Sequence, residues 1–297
     1  SAITHYLGWK HHCDEGIIMG LAPYGNSSAK IPGHKNITYK SIFEKILTEE
    51  KNFKYKINLN YIDYYSARDK WVTDKFLKLF GPKRNWNEPI LDHHKNIAAA
   101  LQDQLEKVVL NQLKKAKKKF KLSKLCLAGG VALNCSLNGK INKSKIFDEI
   151  FVQPASGDDG TAYGACLLAY ASKNKKLKPE KMHNFYKGPS FSNKEIAKCL
   201  KNSKVIYKNS KNIYNDVSKH LVDGKIVGWF QGGSEFGPRA LGNRSILCRP
   251  YPAQMKDYLN KRVKFREYFR PFAPAVLEEK YKKYFDLRQE SPHMLIA

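Results

Sequence analysis

Leu125-Cys-Leu-Ala-Gly-Gly-Val-Ala-Leu-Asn-Cys135 runs from a short apolar strand through a Gly-Gly turn into a helix start. Further along, Ile150-Phe-Val-Gln-Pro154, then Ala155-Ser-Gly-Asp-Asp-Gly160, then the small-residue stretch 161–171 repeat that order of strand, glycine loop and helix. Two such units in succession predict an α/β arrangement like half of a nucleotide-binding domain, with its ligand beyond the carboxyl ends of the strands. A Gly-Gly pair at such a turn lets backbone N–H groups come close to a phosphate, because no Cβ intervenes. Gly129 and Gly130 fit that role, and they fit a purely structural turn as well. Asp158 and Asp159 either hold a metal through carboxylate oxygens or cap the helix that opens near Thr161.

Upstream, residues 16–25 read as a short helix closed by Pro23 and Gly25. Amphipathic helices are expected near 39–49 and 67–80, and residues 36–92 carry no chemical motif. Ile97, Leu101, Leu105, Val108 and Leu113 recur at helical spacing and predict a strong helix over 94–119. Downstream, the polar stretch 172–179 reads as a linker, and the turn at Pro189-Ser190 opens a second domain. That domain is expected to contain helix 193–201, a strand at 205–208, helix 212–223 and strand 226–231. The last strand runs into Gly232-Gly-Ser-Glu-Phe-Gly-Pro-Arg-Ala-Leu-Gly-Asn-Arg-Ser245.

The chain has 297 residues, 42% of them hydrophobic, enough to bury a core in one large or two medium domains. It opens at Ser1 directly into an ordered-looking segment, which suggests an internal piece of a longer protein. The longest apolar stretch, 161–171, has the length of a buried helix and falls short of a membrane span, so a soluble protein is expected. The six cysteines (Cys13, Cys126, Cys135, Cys166, Cys199, Cys248) are scattered without a C-x-x-C pair; most are expected to be reduced core thiols in the cytoplasm, since Cys126 and Cys166 sit in apolar runs.

The formal net charge of +26 points to nucleic acid or to anionic substrates. Of the 53 basic residues only nine are arginine, and the 44 lysines are spread over almost every segment like a solvated surface. The densest lysine run, 114–121, falls at a helix end, where cations meet the negative end of the dipole. Arginine behaves differently, with Arg239, Arg244, Arg249, Arg262, Arg266 and Arg270 all within 32 residues. Such a cluster suggests sites needing a planar bidentate donor for phosphate or carboxylate. In 232–245 the charged side chains sit among glycines and a proline after a buried strand, which favours anion binding. In Arg266-Glu-Tyr-Phe-Arg-Pro-Phe-Ala-Pro274 the arginines either point inward to an anion or pack on aromatic rings.

Gly20-Leu-Ala-Pro-Tyr-Gly25, Ala128-Gly-Gly-Val-Ala-Leu-Asn134, Gly157-Asp-Asp-Gly160, the stretch from Glu235 to Leu247 and Phe269-Arg-Pro-Phe-Ala-Pro274 occur together in this order. Their order resembles the O-carbamoyltransferases of nodulation-factor and antibiotic biosynthesis, over nearly the whole chain. The resemblance implies an α/β protein in two parts. Residues 1–175 would be the second half of an actin-like (ASKHA, ribonuclease H-like) carbamoyl-transfer domain, and 186–297 the first part of a YrdC-like domain that forms carbamoyl-adenylate. It implies transfer of the carbamoyl group of carbamoyl phosphate, through an ATP-derived adenylate, to a hydroxyl of a sugar or other small molecule.

Carried over on the matching positions, Gly129, Gly130 and Asn134 belong to a nucleotide loop and Asp158 is a metal ligand. Arg239, Arg244 and Arg270 are the catalytic anion-binding arginines, with Lys264 and Arg266 also on carbamoyl phosphate and ATP. The implied cofactors are ATP, Mg2+ and Fe2+; no nucleic acid or membrane partner is implied, and a homodimer is compatible. The family's His-x-x-x-His iron pair would lie upstream of Ser1, and His93-His94 has the wrong spacing and place to replace it. Ile17 stands where many relatives carry lysine, Gly233 where many carry arginine, and Cys248-Arg249-Pro250-Tyr251 replaces the usual Ala-Asp-Pro-Arg. The competing readings are a tRNA threonylcarbamoylation enzyme and a basic RNA-binding module; the fused motif order opposes the first and the spread of lysines the second.

Overall fold

A computed structural model describes residues 1–66, 69–174 and 184–297. Packing divides them into two compact units, one of 1–125, 136–150 and 266–272, the other of 126–135, 151–265 and 273–297.

In the first unit α1 (Ala2–Tyr6), α2 (Glu15–Leu21) and a 3-10 turn (Ala22–Tyr24) precede α3 (Tyr39–Ile46), β1 (Leu47–Glu49), β2 (Tyr55–Ile57), α4 (Asp74–Phe80) and α5 (Asp92–Phe120). The helix expected over 39–49 stops at Ile46, because Leu47 to Glu49 pair antiparallel with Ile57 to Tyr55. Thr38 caps its start by accepting the Ser41 N–H at 3.1 Å. The helix expected over 67–80 begins only at Asp74, after the Thr73 cap; residues 67–68 lie outside the described residues. Phe76, fully buried, packs edge-on to Tyr6 (ring centroids 4.9 Å apart) and lies 4.5 Å from Phe80. Burying one such ring is worth about 2–3 kcal/mol. Arg84, 5% exposed, is anchored by backbone carbonyls, donating to Leu7 at 2.7 Å and to Glu88 at 2.7 Å.

The long helix α5 confirms the periodicity and extends it by a residue or two at each end. Its buried Ile97, Ala98 and Ala100 include two residues small enough for the 22–24 turn to lie close against it. The lysine run does end this helix: Lys121 adopts the left-handed conformation (φ 56°) as its cap, and Lys117 Nζ donates to the Leu122 carbonyl at 2.8 Å.

The chain then enters β3 (Lys124–Leu127), a 3-10 turn (Gly130–Leu133), α6 (Cys135–Lys143), β4 (Glu149–Val152) and α7 (Asp159–Lys173). β3 and β4 pair, and the Asp148 N–H to Ser123 and Gln153 N–H to Leu127 bonds advance together, so the strands are parallel. Strand, glycine turn and helix thus occur twice, as the sequence indicates. The expectation of a buried helix over 161–171 fails: α7 has no buried residue, with Leu168 73% and Tyr170 56% exposed. Cys126 and Cys166 are exposed too, so neither is a core thiol. An apolar run reports what a helix can bury; here, among the described residues, only its start is covered, where Tyr163 packs against Phe185 with ring centroids 5.5 Å apart.

The second unit continues with α8 (Asn193–Asn202), α9 (Ile213–Val222), β5 (Val227–Phe230), β6 (Arg244–Leu247), α10 (Met255–Arg262) and α11 (Tyr281–Tyr284). The linker expected over 172–179 starts at the end of α7 and lies, from 175 on, outside the described residues. The strand expected at 205–208 is absent: the Val205 N–H bonds back to the Leu200 carbonyl, and Ile206 is 97% exposed without a strand to pair with. β5 instead pairs antiparallel with β6, setting Phe230 opposite Arg244. The chain is mixed α/β with three two-stranded sheets among the described residues. No helix among them is long and apolar enough to cross a membrane.

Candidate functional site

Three loops that the sequence singles out belong to the second unit: the glycine turn at 129–133, the loop 153–158 and the segment 232–243. Gly129 adopts φ +94°, and a Cβ on Gly129 or Gly130 would meet nothing within 4 Å, so the turn presents bare backbone to open space. Asn134 ends that turn, its N–H bonded to the Val131 carbonyl at 3.0 Å. Gly160 is there for close approach: a Cβ would fall 1.9 Å from the Ala155 carbonyl oxygen. Gly237 (φ +117°) brings the arginine-bearing segment against the same loop, where a Cβ would lie 3.1 Å from the Pro154 oxygen.

Arg239 is half-buried beside the glycine turn, its Nη2 3.4 Å from the Leu133 carbonyl. Its Nε is buried and has no hydrogen-bond partner among the described residues. A buried guanidinium N–H without an acceptor costs about 1–3 kcal/mol, and an anionic oxygen is the acceptor that suits it best. Arg244 is differently placed. Its Nη1 donates to the carbonyls of Gln231 (2.7 Å) and Asn243 (2.9 Å), and its Nη2 to those of Pro189 and Gly232 (both 3.1 Å). The guanidinium also lies 3.6 Å over the Phe230 ring, its cross-strand neighbour. Lys264 is exposed in this unit.

Arg266 and Arg270 belong to the first unit. Arg266 packs over the Phe272 ring at 4.5 Å and donates to the Pro271 carbonyl at 3.2 Å, the aromatic-stacking alternative. Burial and then Arg270 lower its pKa against the pull of Glu267. Arg270 lies 3.7 Å from the Glu267 carboxylate, whose other oxygen accepts the Trp9 indole N–H at 2.6 Å.

Asp158 is exposed at the N-cap position of α7, yet its side chain makes no capping bond, so the capping alternative does not describe it. Among the described residues no group of three or more His, Cys, Asp or Glu side chains is placed to hold a metal. His93 instead shares a 2.8 Å hydrogen bond with the Tyr39 hydroxyl, and His94 Nδ1 accepts the Leu91 N–H at 3.0 Å. Burial holds His94 neutral, with its pKa down to about 4. The donors among the described residues therefore do not by themselves complete an iron site.

The departures from the usual motif have local reasons. Ile17 is a buried core residue. A side chain at Gly233 would meet the Tyr186 carbonyl oxygen at 2.8 Å, because the 185–189 backbone runs alongside 234–236. Arg249 stacks on Tyr251 at 4.9 Å and donates to the Val222 carbonyl at 2.9 Å.

Sequence reasoning overlooked a cavity of about 410 Å³ in the first unit, of mixed polar and apolar lining, with Asn26, Asp103, Glu106, Ser136 and Lys140 among its polar residues. Glu106, 3% exposed, is ion-paired with Lys140 and accepts from Gln102 at 2.8 Å and Ser136 at 3.2 Å. An acid between Leu105 and Val108 on the apolar stripe of α5 was the available signal.

The family described as Carbamoyltransferase N-terminus matches residues 1–167, and that described as Carbamoyltransferase C-terminus matches residues 218–297. An uncharacterized protein of Synechocystis is 40% identical over 100% of this chain and 48% of its own length. Nodulation protein NolO of Bradyrhizobium diazoefficiens is 37% identical, covering 92% of this chain and 47% of its own. Nodulation protein NolNO of Sinorhizobium fredii is 38% identical over 97% of this chain and 40% of its own. The chain thus spans about half or less of the length of these relatives.

Proposed function

Because this chain belongs to the carbamoyltransferase family, we propose that it is part of an enzyme that carries the carbamoyl group of carbamoyl phosphate, through an ATP-derived adenylate, to a hydroxyl of a small molecule. Water cleaves carbamoyl phosphate to carbamate and inorganic phosphate, a carbamate oxygen then attacks the α-phosphorus of ATP, and pyrophosphate leaves. The acceptor hydroxyl then attacks the carbamoyl carbon and AMP leaves. Carbamate alone is a poor acyl donor, and AMP as leaving group makes it a good one. Both steps place anionic charge where arginine side chains and backbone N–H groups stabilise it.

The observation that carries this reading is Arg239, whose buried Nε lacks a partner among the described residues and lies beside a glycine turn of open backbone. Residues 1–175 would contribute the actin-like part and 186–297 the YrdC-like part, with the reaction in the cytoplasm. The direct test is product analysis on the intact protein. ATP consumed with carbamoyl phosphate should yield AMP and pyrophosphate; ADP as the nucleotide product would reject the adenylate.

Asp158 keeps a separate part in this proposal, as one carboxylate toward a cation whose remaining ligands the described residues do not supply. Asp158→Asn in the intact protein is expected to lower bound iron and to slow acceptor carbamoylation about tenfold or more, while adenylate formation stays within about twofold. Equal loss of both half-reactions would make Asp158 a shared-site residue, and no loss of either would remove it from the site.

A further inference from the structure

Glu235 opens the arginine-bearing motif. Its Oε1 accepts three main-chain N–H groups, from Leu241 at 2.6 Å, Asn243 at 2.9 Å and Arg244 at 3.2 Å. Those donors lie on the returning limb of the loop, so residues 235–241 make a closed excursion whose neck is held by one carboxylate oxygen. Neighbouring bonds tighten the same neck: Asn243, 6% exposed, donates from Nδ2 to the Gly233 carbonyl at 2.7 Å, and the Gly242 N–H donates to Ser245 Oγ at 3.0 Å. At the crown of the excursion, Gly237 in the positive-φ region and Pro238 with its fixed φ lead into Arg239. Partial burial opposes the charge of Glu235, but the converging N–H groups outweigh it and hold its pKa below the ordinary carboxylate value.

We propose that Glu235 is a positioning residue: by pinning the neck of loop 235–241 it holds the Arg239 guanidinium beside the glycine turn, where a phosphate-bearing ligand is bound. The proposal rests on Arg239 being an anion-binding residue of the carbamoyl transfer proposed above. Without the carboxylate, three converging N–H groups lose their common acceptor and the crown is free to shift. A glutamine in its place keeps an acceptor oxygen at the same reach, whereas alanine keeps none.

The test uses the intact protein as wild type, Glu235→Ala, Glu235→Gln, Arg239→Ala and the double alanine variant. It has two readouts besides melting midpoints: calorimetric binding of inorganic pyrophosphate, and the KM for carbamoyl phosphate in exchange of pyrophosphate into ATP. Glu235→Ala should weaken pyrophosphate binding and raise that KM about tenfold, Glu235→Gln should stay within about threefold of wild type, and in the Arg239→Ala background Glu235→Ala should cost nothing further. A role in folding alone would lower the melting midpoint and damage both backgrounds equally. The positioning role is overturned if Glu235→Ala binds pyrophosphate normally, if glutamine is as damaging as alanine, if the two losses simply add, or if wild type binds no pyrophosphate. Binding that follows the expected cycle in a protein without exchange activity would leave Glu235 in its role and reject the reaction instead. Exchange that Glu235→Ala leaves untouched would reject Glu235 alone.

Discussion

Arg239→Lys in the intact protein is expected to slow carbamoyl-phosphate-dependent exchange of pyrophosphate into ATP by at least about tenfold, and Arg239→Ala by about 10²–10³-fold. Lysine keeps the positive charge and loses the planar fork, so it cannot use two donors on one phosphate. In the second unit the Nε atoms of Arg239 and Arg249 are both buried and unpartnered among the described residues, but Arg249 is stacked on Tyr251 and bonded to the Val222 carbonyl, whereas Arg239 lies beside the glycine turn. Arg244 already gives both terminal nitrogens to four backbone carbonyls and stacks on Phe230. Among the described residues Arg239 makes one long hydrogen bond, 3.4 Å to the Leu133 carbonyl, and its buried Nε is without a partner. A ligand oxygen gains most where the donor is buried and unspent. Full exchange activity in Arg239→Ala would remove this side chain from the site.

Gly25→Ala is expected to destabilise the first unit by about 3 kcal/mol or more, the upper end of what overpacking costs. The backbone angles are not the obstacle, since Gly25 is extended (φ −110°, ψ 171°) and any residue adopts that conformation. Space is the obstacle. A Cβ would sit 2.0 Å from the Lys95 carbonyl oxygen, 2.3 Å from its carbon and 2.7 Å from the Asn96 nitrogen, all backbone of α5. The adjoining Asn26 N–H is fixed to Asn96 Oδ1 at 2.7 Å, so the turn cannot slide away without losing that bond. Gly16 supplies the control. A Cβ there meets nothing within 4 Å, and Gly16→Ala should be neutral or stabilising by up to about 1 kcal/mol. Urea unfolding of the two variants side by side reads the difference; equal midpoints would contradict the close packing of the turn on α5.

What the sequence made legible follows from which interactions are local. The strand, glycine turn and helix order around 125–135 and again around 150–171 was readable because each step depends on neighbouring residues, and α5 was readable from the spacing of its apolar positions. Pairing across distance was not. The last turn expected of α3 became β1 because a partner strand, Tyr55–Ile57, lies beside it, and 205–208 failed to become a strand because it has none. Arg244–Leu247 is half of a sheet, although its residues read as the tail of an arginine motif. Composition misjudged α7, whose apolar residues, Cys166 included, stand exposed.

The candidate site divides the same way. Arginine clustering and bare glycines marked the right segments, since those residue types are chosen for chemistry near an anion. Which arginine is spent on the fold and which is free is decided by carbonyl oxygens contributed from several places in the chain. Pro189, Gln231 and Gly232 all take hydrogen bonds from Arg244, and no local pattern announces that. The three N–H groups that meet on Glu235 were equally hidden, because they come from residues six to nine positions away on a loop with no regular period.

The most direct measurement of the central claim is exchange of labelled pyrophosphate into ATP by the intact wild-type protein, with ATP and Mg2+ present and no acceptor. Exchange that appears only when carbamoyl phosphate is added is the expected result, because the adenylate forms before any hydroxyl is needed. Carbamoyl transfer to an acceptor hydroxyl by the same preparation, without ATP and without any such exchange, would contradict it.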